Sequence, residues 1–444
     1  MTATIEISGW INSRKVSGIQ VQVLALCAAA AAIDGFDGQN IGYVAPAIIA
    51  QWHVAPQDFT TAFVSGLVGL LIGCLGVAPL ADWLGRRWVL IGTLVAFGIF
   101  SLASAAAQSI TSLSILRFLT GAGLGGGMAN AIAMTSEYFP SRMRSWMTVL
   151  MFCGFPLGAS FGGFLAAALI PAYGWPMVFI IGGIVPLALA GVFVVLLPES
   201  IRHLAVKDAS GRAIAAILRR IDPHSEIPSE ARYVVAEETA RGLTVRHVFG
   251  KGRTAGTVLI WVVFFASLLD IFLLTSWLPE VLHDAGFSLS ASVVATAALQ
   301  GSGAICTLAV GPLLDQRGCL PVLFPLYLLA AIGIAAIGFV GSYFALILLA
   351  SCAAGAGIVA GQNVANAVAA NFYPTYIRAT GVGWALGVGR IGAIVGPTVG
   401  GVMLAMHMGR PEIFGLGAIP ALFAALAVLG LRWLERRSKV IVPS

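Results

Sequence analysis

The stretch GAGLGGGMANAIAMTSEYFPSRMR at Gly121–Arg144 returns later in the chain as GAGIVAGQNVANAVAANFYPTYIR at Gly355–Arg378. The two stretches align without gaps at an offset of 234, and eight of the 24 positions are identical. An Asp-x-x-Gly motif at Asp82 also returns at Asp315, within one residue of the same offset. The chain is therefore predicted to consist of two related halves.

The composition indicates a protein that crosses a membrane many times. Hydrophobic residues make up 59% of the 444 residues and charged residues only 10%, and the mean hydropathy is +0.94. These values differ widely from those of water-soluble domains. A bilayer core of about 30 Å needs roughly 20 apolar residues per helix. Twelve runs meet this requirement, and we number them as spans 1 to 12: 18–49, 58–81, 88–108, 111–136, 145–170, 175–197, 254–279, 288–314, 320–341, 343–371, 379–406 and 411–434.

The arrangement of the spans follows from the repeat. Six spans separate the two copies, and because this number is even, the halves have the same topology and are parallel repeats about an axis along the membrane normal. We predict an all-α fold of twelve transmembrane helices in two six-helix bundles. The predicted division is an N-terminal bundle at 1–197, a cytoplasmic central loop at 198–253 and a C-terminal bundle at 254–444.

The positive charges predict the orientation, since short cytoplasmic loops collect Lys and Arg. Of the 25 Lys and Arg residues, Arg117 and Arg390 fall inside spans and Arg410 falls on one side, which leaves 22 on the other side. Both termini are therefore predicted to be cytoplasmic, with residues 1–17 as a short tail. Six cysteines occur singly, so we expect neither disulfides nor a metal site.

Five charged residues lie well inside the predicted spans, where a charge is costly and usually serves transport, a proton path or an ion pair. Asp34 and Asp37 stand three residues apart in span 1, Arg117 is in span 4, Asp270 in span 7 and Arg390 in span 11. This set is the candidate functional site. For the aspartate pair, the alternative is a buried salt bridge without a role in transport.

The loop after span 2, APLADWLGRR at 78–87, resembles the Gly-x-Leu-x-Asp-x-x-Gly-Arg-Arg signature of the major facilitator superfamily. Ala78 and Trp83 depart from that signature, and the second-half copy, GPLLDQRGCL at 311–320, lacks the two arginines. The PESIR element at 198–202 also resembles a segment found after the sixth helix in several of its subfamilies. This resemblance covers the whole chain and implies the major facilitator fold.

Within that superfamily, three elements resemble the aromatic acid/proton symporters. They are DGFD at 34–37, RFLTGAG at 117–123 and GVGWALGVGR at 381–390. The resemblance implies uptake of a benzoate-like or hydroxybenzoate-like anion together with protons, by alternating access, across a bacterial inner membrane. The expected partners are the acid anion, protons and membrane lipid, with no nucleic acid and no cofactor, and the protein is expected to act as a monomer.

Asp37 and Arg117 are predicted to lie at similar depth. They are about eight and six residues from the outer ends of their spans, or roughly 12 and 9 Å at 1.5 Å per residue. The partner of Arg117 is then Asp37, the substrate, or each in turn. One of Asp34 and Asp37 is expected to hold an exchangeable proton, and because coupled sites titrate as a unit, neither is singled out. These three residues are the predicted proton-coupling set.

Arg390 is the predicted binding residue for the substrate anion, because a guanidinium can hold a carboxylate through two parallel hydrogen bonds. Asp270 is expected to approach Arg390, with which it could instead form an internal ion pair. Phe36 and Trp384 are expected to stack on the aromatic ring. Further expected contacts are amides that could bond ring hydroxyls or only neighbouring helices: Gln300, Gln362, Asn363 and Asn366.

Charged residues at the cytoplasmic ends are expected to form ion pairs that lock one conformation, because alternating access needs contacts that break in the other state. The expected groups are Asp82 with the arginines that follow it, Glu137 with Arg142 and Arg144, and Asp315 with Arg317. The alternative is that the arginines only set the membrane orientation. The predicted gating residues are Asp82, Arg86, Arg87, Glu137, Arg144, Asp315, Arg317 and Arg378.

Other functions use the same features. A proton-coupled exporter of drugs or organic compounds, or a symporter of a non-aromatic organic acid, would share the fold and many of the charges. A sensor of aromatic acids would need an output domain, for which the central loop and the tail offer little length. The sequence has no nucleotide-binding P-loop, metal cluster or hydrolase elbow, so we do not expect an enzyme.

Overall fold

The structure, a computed structural model, describes residues 4–77, 80–207, 211–223, 225, 232–234, 248–250, 253–341, 343–373 and 378–441. Two three-residue strands, β1 (Thr4–Glu6) and β2 (Arg232–Val234), pair in parallel. A short 3₁₀ helix covers Pro56–Phe59. The α-helices of the described part are α1 (Ile7–Asn12), α2 (Gly18–Trp52), α3 (Thr60–Gly76), α4 (Ala81–Leu84), α5 (Arg86–Ser104), α6 (Ile110–Leu124), α7 (Gly127–Tyr138), α8 (Ser141–Phe152), α9 (Gly154–Tyr173), α10 (Pro176–Leu196), α11 (Ile201–Lys207), α12 (Arg212–Ile221), α13 (Thr254–Asp284), α14 (Leu289–Arg317), α15 (Cys319–Phe339), α16 (Phe344–Phe372), α17 (Arg378–Ala405) and α18 (Arg410–Ile441).

Eleven helical segments of the described residues are long and apolar enough to cross a membrane. They correspond to predicted spans 1 to 3 and 5 to 12. Span 4 differs, because it consists of two shorter helices, α6 with 15 residues and α7 with 12. Gly125 and Gly126 lie between these helices, where glycine's conformational freedom favours an interruption. The all-α polytopic fold is confirmed, with its fourth crossing made by a broken helix.

The repeated stretch occupies equivalent positions in the two halves. A Cβ atom added to Gly121 would lie 2.1 Å from the backbone oxygen of Gly66 in α3, and one added to Gly355 would lie 1.8 Å from that of Leu299 in α14. Both glycines therefore allow a close helix contact that any side chain would prevent. α6 packs against α3 as α16 packs against α14, and spans 2 and 8 are equivalent in a parallel repeat.

The two halves are in contact along α9 and α14, and α3 also reaches the C-terminal half near one face of the membrane domain. We call the face where α2 begins at Gly18 the terminal face and the one where it ends at Trp52 the opposite face. Near the opposite face, the rings of Phe63 in α3 and Trp277 in α13 are 5.1 Å apart. A Cβ atom on Gly401 of α17 would lie 2.0 Å from Oγ1 of Thr60, at the start of α3. The α3 side and the α13–α17 side are thus in contact there.

The terminal ends of α3 and α17 are open by comparison. Leu75, near the end of α3, is 72% exposed. Added Cβ atoms on Gly383 and Gly387 of α17 would meet nothing within 4 Å. These positions of α3 and α17 are therefore not covered by other helices of the described structure.

The described part of the predicted N-terminal tail contains β1 and α1 and packs against other segments. α1 packs Ile7 and Ile11 into the same apolar cluster as Ile214 and Leu218 of α12. Asn12 accepts a hydrogen bond of 2.7 Å from the backbone N–H of Ser141, at the start of α8. The central loop contains α11, α12 and β2. In α12, apolar residues recur at helical spacing and bury one face of the helix.

Candidate functional site

A buried ion pair joins the first and fourth crossings. Nη1 of Arg117 in α6 donates to Oδ1 of Asp37 in α2 at 2.8 Å. The two residues are 3% and 8% exposed, so the pair is largely withdrawn from solvent. The predicted meeting of these residues at one depth is confirmed. A buried charge without its partner is strongly destabilising, so each residue stabilises the ionised form of the other.

Arg117 has three further partners in the N-terminal half. Its Nη2 donates to Oγ of Ser104 in α5 at 3.0 Å and to Oγ1 of Thr120 at 3.1 Å. Its guanidinium carbon lies 4.8 Å from the centre of the Phe179 ring in α10, an arrangement favourable for a cation and an aromatic face. The arginine is therefore held from several sides by neutral groups as well as by Asp37.

Asp37 is held less completely than its partner. Oδ1 accepts from Arg117 and, at 3.3 Å, from Nδ2 of Asn40. Within the described residues, Oδ2 accepts no hydrogen bond. Asp37, Asp34 and Arg117 line one cavity, whose other walls come from α3 and α6. The second carboxylate oxygen therefore remains available to water, a proton or a ligand.

Arg390 provides a positive charge from the other half. It lies in α17, is partly buried, and its charge acts on Asp34 across the boundary between the halves. Among the described residues it forms neither a hydrogen bond nor a salt bridge. The site thus combines one closed ion pair with one partly buried arginine that has no bonded partner there.

Comparison with known proteins identifies the architecture that carries these charges. The sequence matches the Major Facilitator Superfamily over residues 27–361 and again over 260–443. It is 38% identical over 428 residues to a gallate transporter of Pseudomonas putida, covering 96% of this chain and 95% of that protein. The chain belongs to the major facilitator superfamily, in its family of aromatic acid transporters. It is a transporter and not an enzyme.

Two further comparisons agree with this assignment. The transporter is 37% identical over 426 residues to the 4-hydroxybenzoate transporter PcaK of Pseudomonas aeruginosa, covering 96% of this chain and 95% of that one. The xylose transporter XylE of E. coli, in a partially occluded inward open conformation, superimposes with a TM-score of 0.72 at 17% identity. That comparison covers 92% of this chain and 97% of XylE, and at this identity it supports the fold alone.

Amide side chains of the C-terminal half retain unused hydrogen-bonding groups. Gln300 in α14 and Gln362 in α16 are buried, and Nε2 of the first and Oε1 of the second have no partner in the described part of the transporter. Oδ1 of Asn366 also has no hydrogen-bond partner in the described part. Asn363 differs, since it donates to Oγ1 of Thr307 at 3.0 Å. Three of the four predicted amides thus have capacity left for a ligand or water.

The predicted pairing of Asp270 with Arg390 is wrong for this conformation. Asp270 is fully buried in α13, and neither of its carboxyl oxygens has a hydrogen-bond partner among the described residues. Its surroundings are Tyr327 of α15 and the backbone of Ala421 in α18, with no contribution from Arg390. The neighbouring residue Leu269 is the one that packs on α17, so the carboxyl group points elsewhere.

The two rings that were predicted to stack on the substrate, Phe36 and Trp384, do not line the cavity of Asp37 and Arg117. The Phe36 ring lies between α9 and α10, where an added Cβ atom on Gly162 or Gly182 would overlap it, and it lines a separate, apolar pocket. Trp384 stacks on Trp261 at 6.0 Å and is 44% exposed. It is six residues from Arg390, about 120° around the helix, so the two side chains leave α17 in different directions.

The charged residues at the terminal face form a network within the N-terminal half. Glu137 pairs with Arg86 at 2.9 Å, rather than with Arg142 or Arg144 as predicted. Arg142 instead donates to the backbone oxygens of Asn12 and Arg14.

Two more predicted gating residues differ in their contacts. Arg87 donates its backbone N–H to Glu199 at 3.1 Å, and its side chain donates to the backbone oxygen of Val194. Arg144 is exposed. The side chains of four other predicted gating residues lie outside the described part: Asp82, Asp315, Arg317 and Arg378.

Several residues of the site were not predicted from the sequence. Asn40 and Thr120 follow Asp37 and Arg117 by three residues, and such spacing places side chains on one face of a helix. The spacing of three residues therefore indicates Asn40 and Thr120 as site residues from the sequence alone. Ser104 belongs to a different helix, and nothing in its sequence context indicates a contact with Arg117. A buried amide of α2, Gln39, also has an unpartnered Nε2 within the described residues.

Proposed function

We propose that the transporter takes up an aromatic carboxylate together with protons across a bacterial inner membrane, as a single chain with both termini in the cytoplasm. The observation that carries this proposal is the closed Asp37–Arg117 pair beside a cavity that also contains Asp34, opposite the unbonded Arg390. The relatives named as gallate and 4-hydroxybenzoate transporters support an aromatic acid as the substrate.

Arg390 is the proposed residue that binds the substrate carboxylate. A planar guanidinium without a bonded partner among the described residues can accept a carboxylate through a two-point contact. An arriving anion does not have to displace an internal acid, because Asp270 lies against α15 and α18. Substrate binding at Arg390 therefore adds an ion pair to the C-terminal half without breaking one.

Asp34 and Asp37 are the proposed proton carriers. Uptake of a proton by this pair neutralises a carboxylate and weakens the bond between Asp37 and Arg117. With the substrate anion at Arg390, the cavity then carries less net charge, and the halves can rock about the site. Proton loss on the cytoplasmic side restores the ion pair and favours release of the substrate.

The amides are the proposed contacts for polar groups on the aromatic ring. Gln39 comes from the N-terminal half, whereas Gln300 and Gln362 come from the C-terminal half. A buried donor or acceptor without a partner is costly, so a ring hydroxyl that satisfies one of them gains affinity. Phe36 and Trp384 are not part of this proposal, since their rings lie away from the cavity.

The proposed orientation places the terminal face in the cytoplasm. The predicted asymmetry of Lys and Arg supports it, because positive residues accumulate in short cytoplasmic loops. The contacts between α3 and the α13–α17 side then lie at the outer face, and the uncovered terminal ends of α3 and α17 lie at the cytoplasmic face. Arg86 and Glu137 are proposed to stabilise one of the alternating states from the N-terminal half.

The test combines binding with directed transport. Purified protein is heated with aromatic acids, short aliphatic acids, and neutral or cationic compounds at two pH values, since ligands of the folded state raise its melting temperature. The acids that bind are then offered to proteoliposomes with an imposed pH gradient. We expect aromatic carboxylates to stabilise the protein and to accumulate on the alkaline side.

Each alternative predicts a different result in these assays. Stabilisation by neutral or cationic compounds alone, with substrate leaving against the proton flow, indicates an exporter. Stabilisation by aliphatic acids alone indicates a symporter for non-aromatic acids. Asp34→Asn or Asp37→Asn variants that retain full gradient-driven uptake would contradict the assignment of that residue as a proton carrier.

A further inference from the structure

The neutral partners of Arg117 are placed so that they can hold it without Asp37. The hydroxyls of Ser104 and Thr120 donate to backbone oxygens of their own helices, at 2.8 Å to Phe100 and 2.7 Å to Leu116. Each hydroxyl proton is therefore occupied, and the oxygen is left to accept from the guanidinium of Arg117. Both hydroxyl-bearing residues are fully buried, so water does not compete readily for these positions.

The fourth contact of Arg117 is also neutral and comes from a third helix. The Phe179 ring of α10 covers one face of the guanidinium at 4.8 Å. Its position is secured through Ser101, which donates to the Phe179 backbone oxygen at 3.1 Å. α5, α6 and α10 thus surround the arginine, whereas Asp37 reaches it from α2 through one oxygen.

We propose that Ser104, Thr120 and Phe179 are positioning residues that keep Arg117 in place when its ion pair with Asp37 opens, so that the aspartate moves and the arginine remains as a fixed cation. This inference rests on the proposed function, in which Asp37 takes up a proton. A proton from water binds Oδ2 of Asp37 and makes the carboxyl group neutral. Arg117 keeps its positive charge and its three neutral contacts.

The charged groups around Asp37 are few. Asp34 lies on α2 itself, Arg117 comes from α6, and the charge of Arg390 in α17 acts on Asp34. The cavity wall from α3 is apolar or glycine, and the sequences of α9 and α10 contain no charged residue. On α13, Asp270 points toward α15 and α18. On α7, Glu137 pairs with Arg86 at the terminal face.

The hydroxyls matter most in the open state. While Asp37 is ionised, Arg117 has the carboxylate as its main partner. When Asp37 is neutral, the two hydroxyl oxygens are the acceptors that remain among its described contacts. Their removal raises the free energy of the state with protonated Asp37 more than that of the ion-paired state. A higher proton concentration is then needed to open the pair.

The experiment is an infrared titration of the substrate-free protein in lipid vesicles. The carboxyl band that disappears in Asp37→Asn reports protonation of Asp37. In the double variant Ser104→Ala, Thr120→Val, we expect the midpoint of this band at a proton concentration about three- to tenfold higher than in the wild type. Thr120→Ser alone retains the hydroxyl, and we expect it to titrate as the wild type does.

Ser292→Ala is the matched control, because Ser292 is equally buried and its hydroxyl also donates to the backbone oxygen four residues earlier, but it lies in α14 and has no contact with Arg117. A midpoint in the double variant that equals the control midpoint overturns the inference. If the double variant does not fold, Ser104→Ala alone must give a smaller shift in the same direction, and a lack of shift overturns it. If the wild-type protein shows no titrating Asp37 band, the proposed role of Asp37 as a proton carrier is contradicted. This result differs from an unshifted midpoint in the double variant, which contradicts only the inference on the positioning residues.

Discussion

In the N-terminal half, a buried acid and a buried arginine bond to each other, whereas in the C-terminal half the buried acid Asp270 and the partly buried Arg390 stay apart. Arg117 contacts Asp37 at 2.8 Å. Arg390 and Asp270 lie on two helices that pack along their lengths, α17 and α13, and form no salt bridge within the described structure. Equivalent folds therefore carry different electrostatic arrangements.

The packing of α13 on α17 explains why the second pair does not form. Added Cβ atoms on Gly392 and Gly396 of α17 would lie 2.2 and 2.4 Å from the backbone oxygens of Phe265 and Leu269. These close contacts fix the rotation of α13 about its axis. Asp270 is then turned away from α17 and toward α15 and α18.

The difference assigns separate tasks to the two halves. The N-terminal half holds a charge pair that a proton can open, and the C-terminal half holds an arginine that a ligand can neutralise. Asp34 connects them, because it lines the cavity of the first half and interacts with the charge of Arg390 in the second. Variants of the two arginines should consequently fail in different ways.

Arg117→Ala should have the largest effect. It leaves Asp37 buried without its cation, which costs about 3–5 kcal/mol of folding free energy. We expect a lower melting temperature and uptake reduced by roughly 100-fold or more. The measurements are thermal unfolding and proteoliposome uptake of 4-hydroxybenzoate. Arg410→Ala is the control, since Arg410 is only partly buried and bonds only one backbone oxygen in the described part. An unchanged melting temperature in Arg117→Ala would contradict the structural importance of the pair.

Arg390→Gln should weaken substrate binding without destabilising the protein. Arg390 acts on Asp34 through its charge but has no bonded partner in the described part of the chain, so its removal breaks no internal hydrogen bond or salt bridge. Loss of a charged hydrogen-bonded contact to a carboxylate should raise the dissociation constant about 10- to 100-fold. Calorimetric titration at fixed pH measures this, and Arg390→Lys should be intermediate because it keeps the charge but loses the fork. A large drop in the melting temperature without substrate would show that Arg390 has an internal partner.

Asp270→Asn should change transport much less than Asp37→Asn. The carboxyl group of Asp270 has no cation beside it in the described structure, and the amide has nearly the same shape. We expect uptake within about threefold of the wild type, which is the effect of less than 1 kcal/mol. The paired comparison uses the same vesicles and the same pH gradient. An equal loss of uptake in both variants would return Asp270 to the transport pathway.

The sequence predicted the parts of this site that depend on composition and spacing. Hydropathy locates the crossings because a bilayer imposes a minimum length on apolar helices. Counting residues along spans 1 and 4 was sufficient to place Asp37 and Arg117 at similar depth, which left the partner of Arg117 open. The broken fourth crossing was less predictable, because its apolar run continues through Gly125 and Gly126.

The rotation of each helix about its own axis could not be predicted from the sequence. The directions of Asp270 and Phe36 depend on which glycines of neighbouring helices accept close contact. The partner of Glu137 was not predicted for the same reason. Arg86 lies at the start of α5, whereas the predicted partners Arg142 and Arg144 lie in α8, directly after Glu137 in the sequence. The depth of a residue in the membrane can be counted along its own helix. The direction of its side chain depends on packing between segments that are distant in sequence.

The contact between α3 and α17 at the opposite face leads to another small expected effect. A Cβ atom on Gly401 would lie 2.0 Å from Oγ1 of Thr60, so Gly401→Ala forces a small separation of α3 and α17. We expect uptake to slow about two- to fivefold, since the overlap involves one short side chain. Gly383→Ala is the control on the same helix, because its Cβ would meet nothing within 4 Å. The double variant Thr60→Ala, Gly401→Ala should recover much of the lost rate. Failure of that recovery would mean that closure at this face does not depend on the α3–α17 contact.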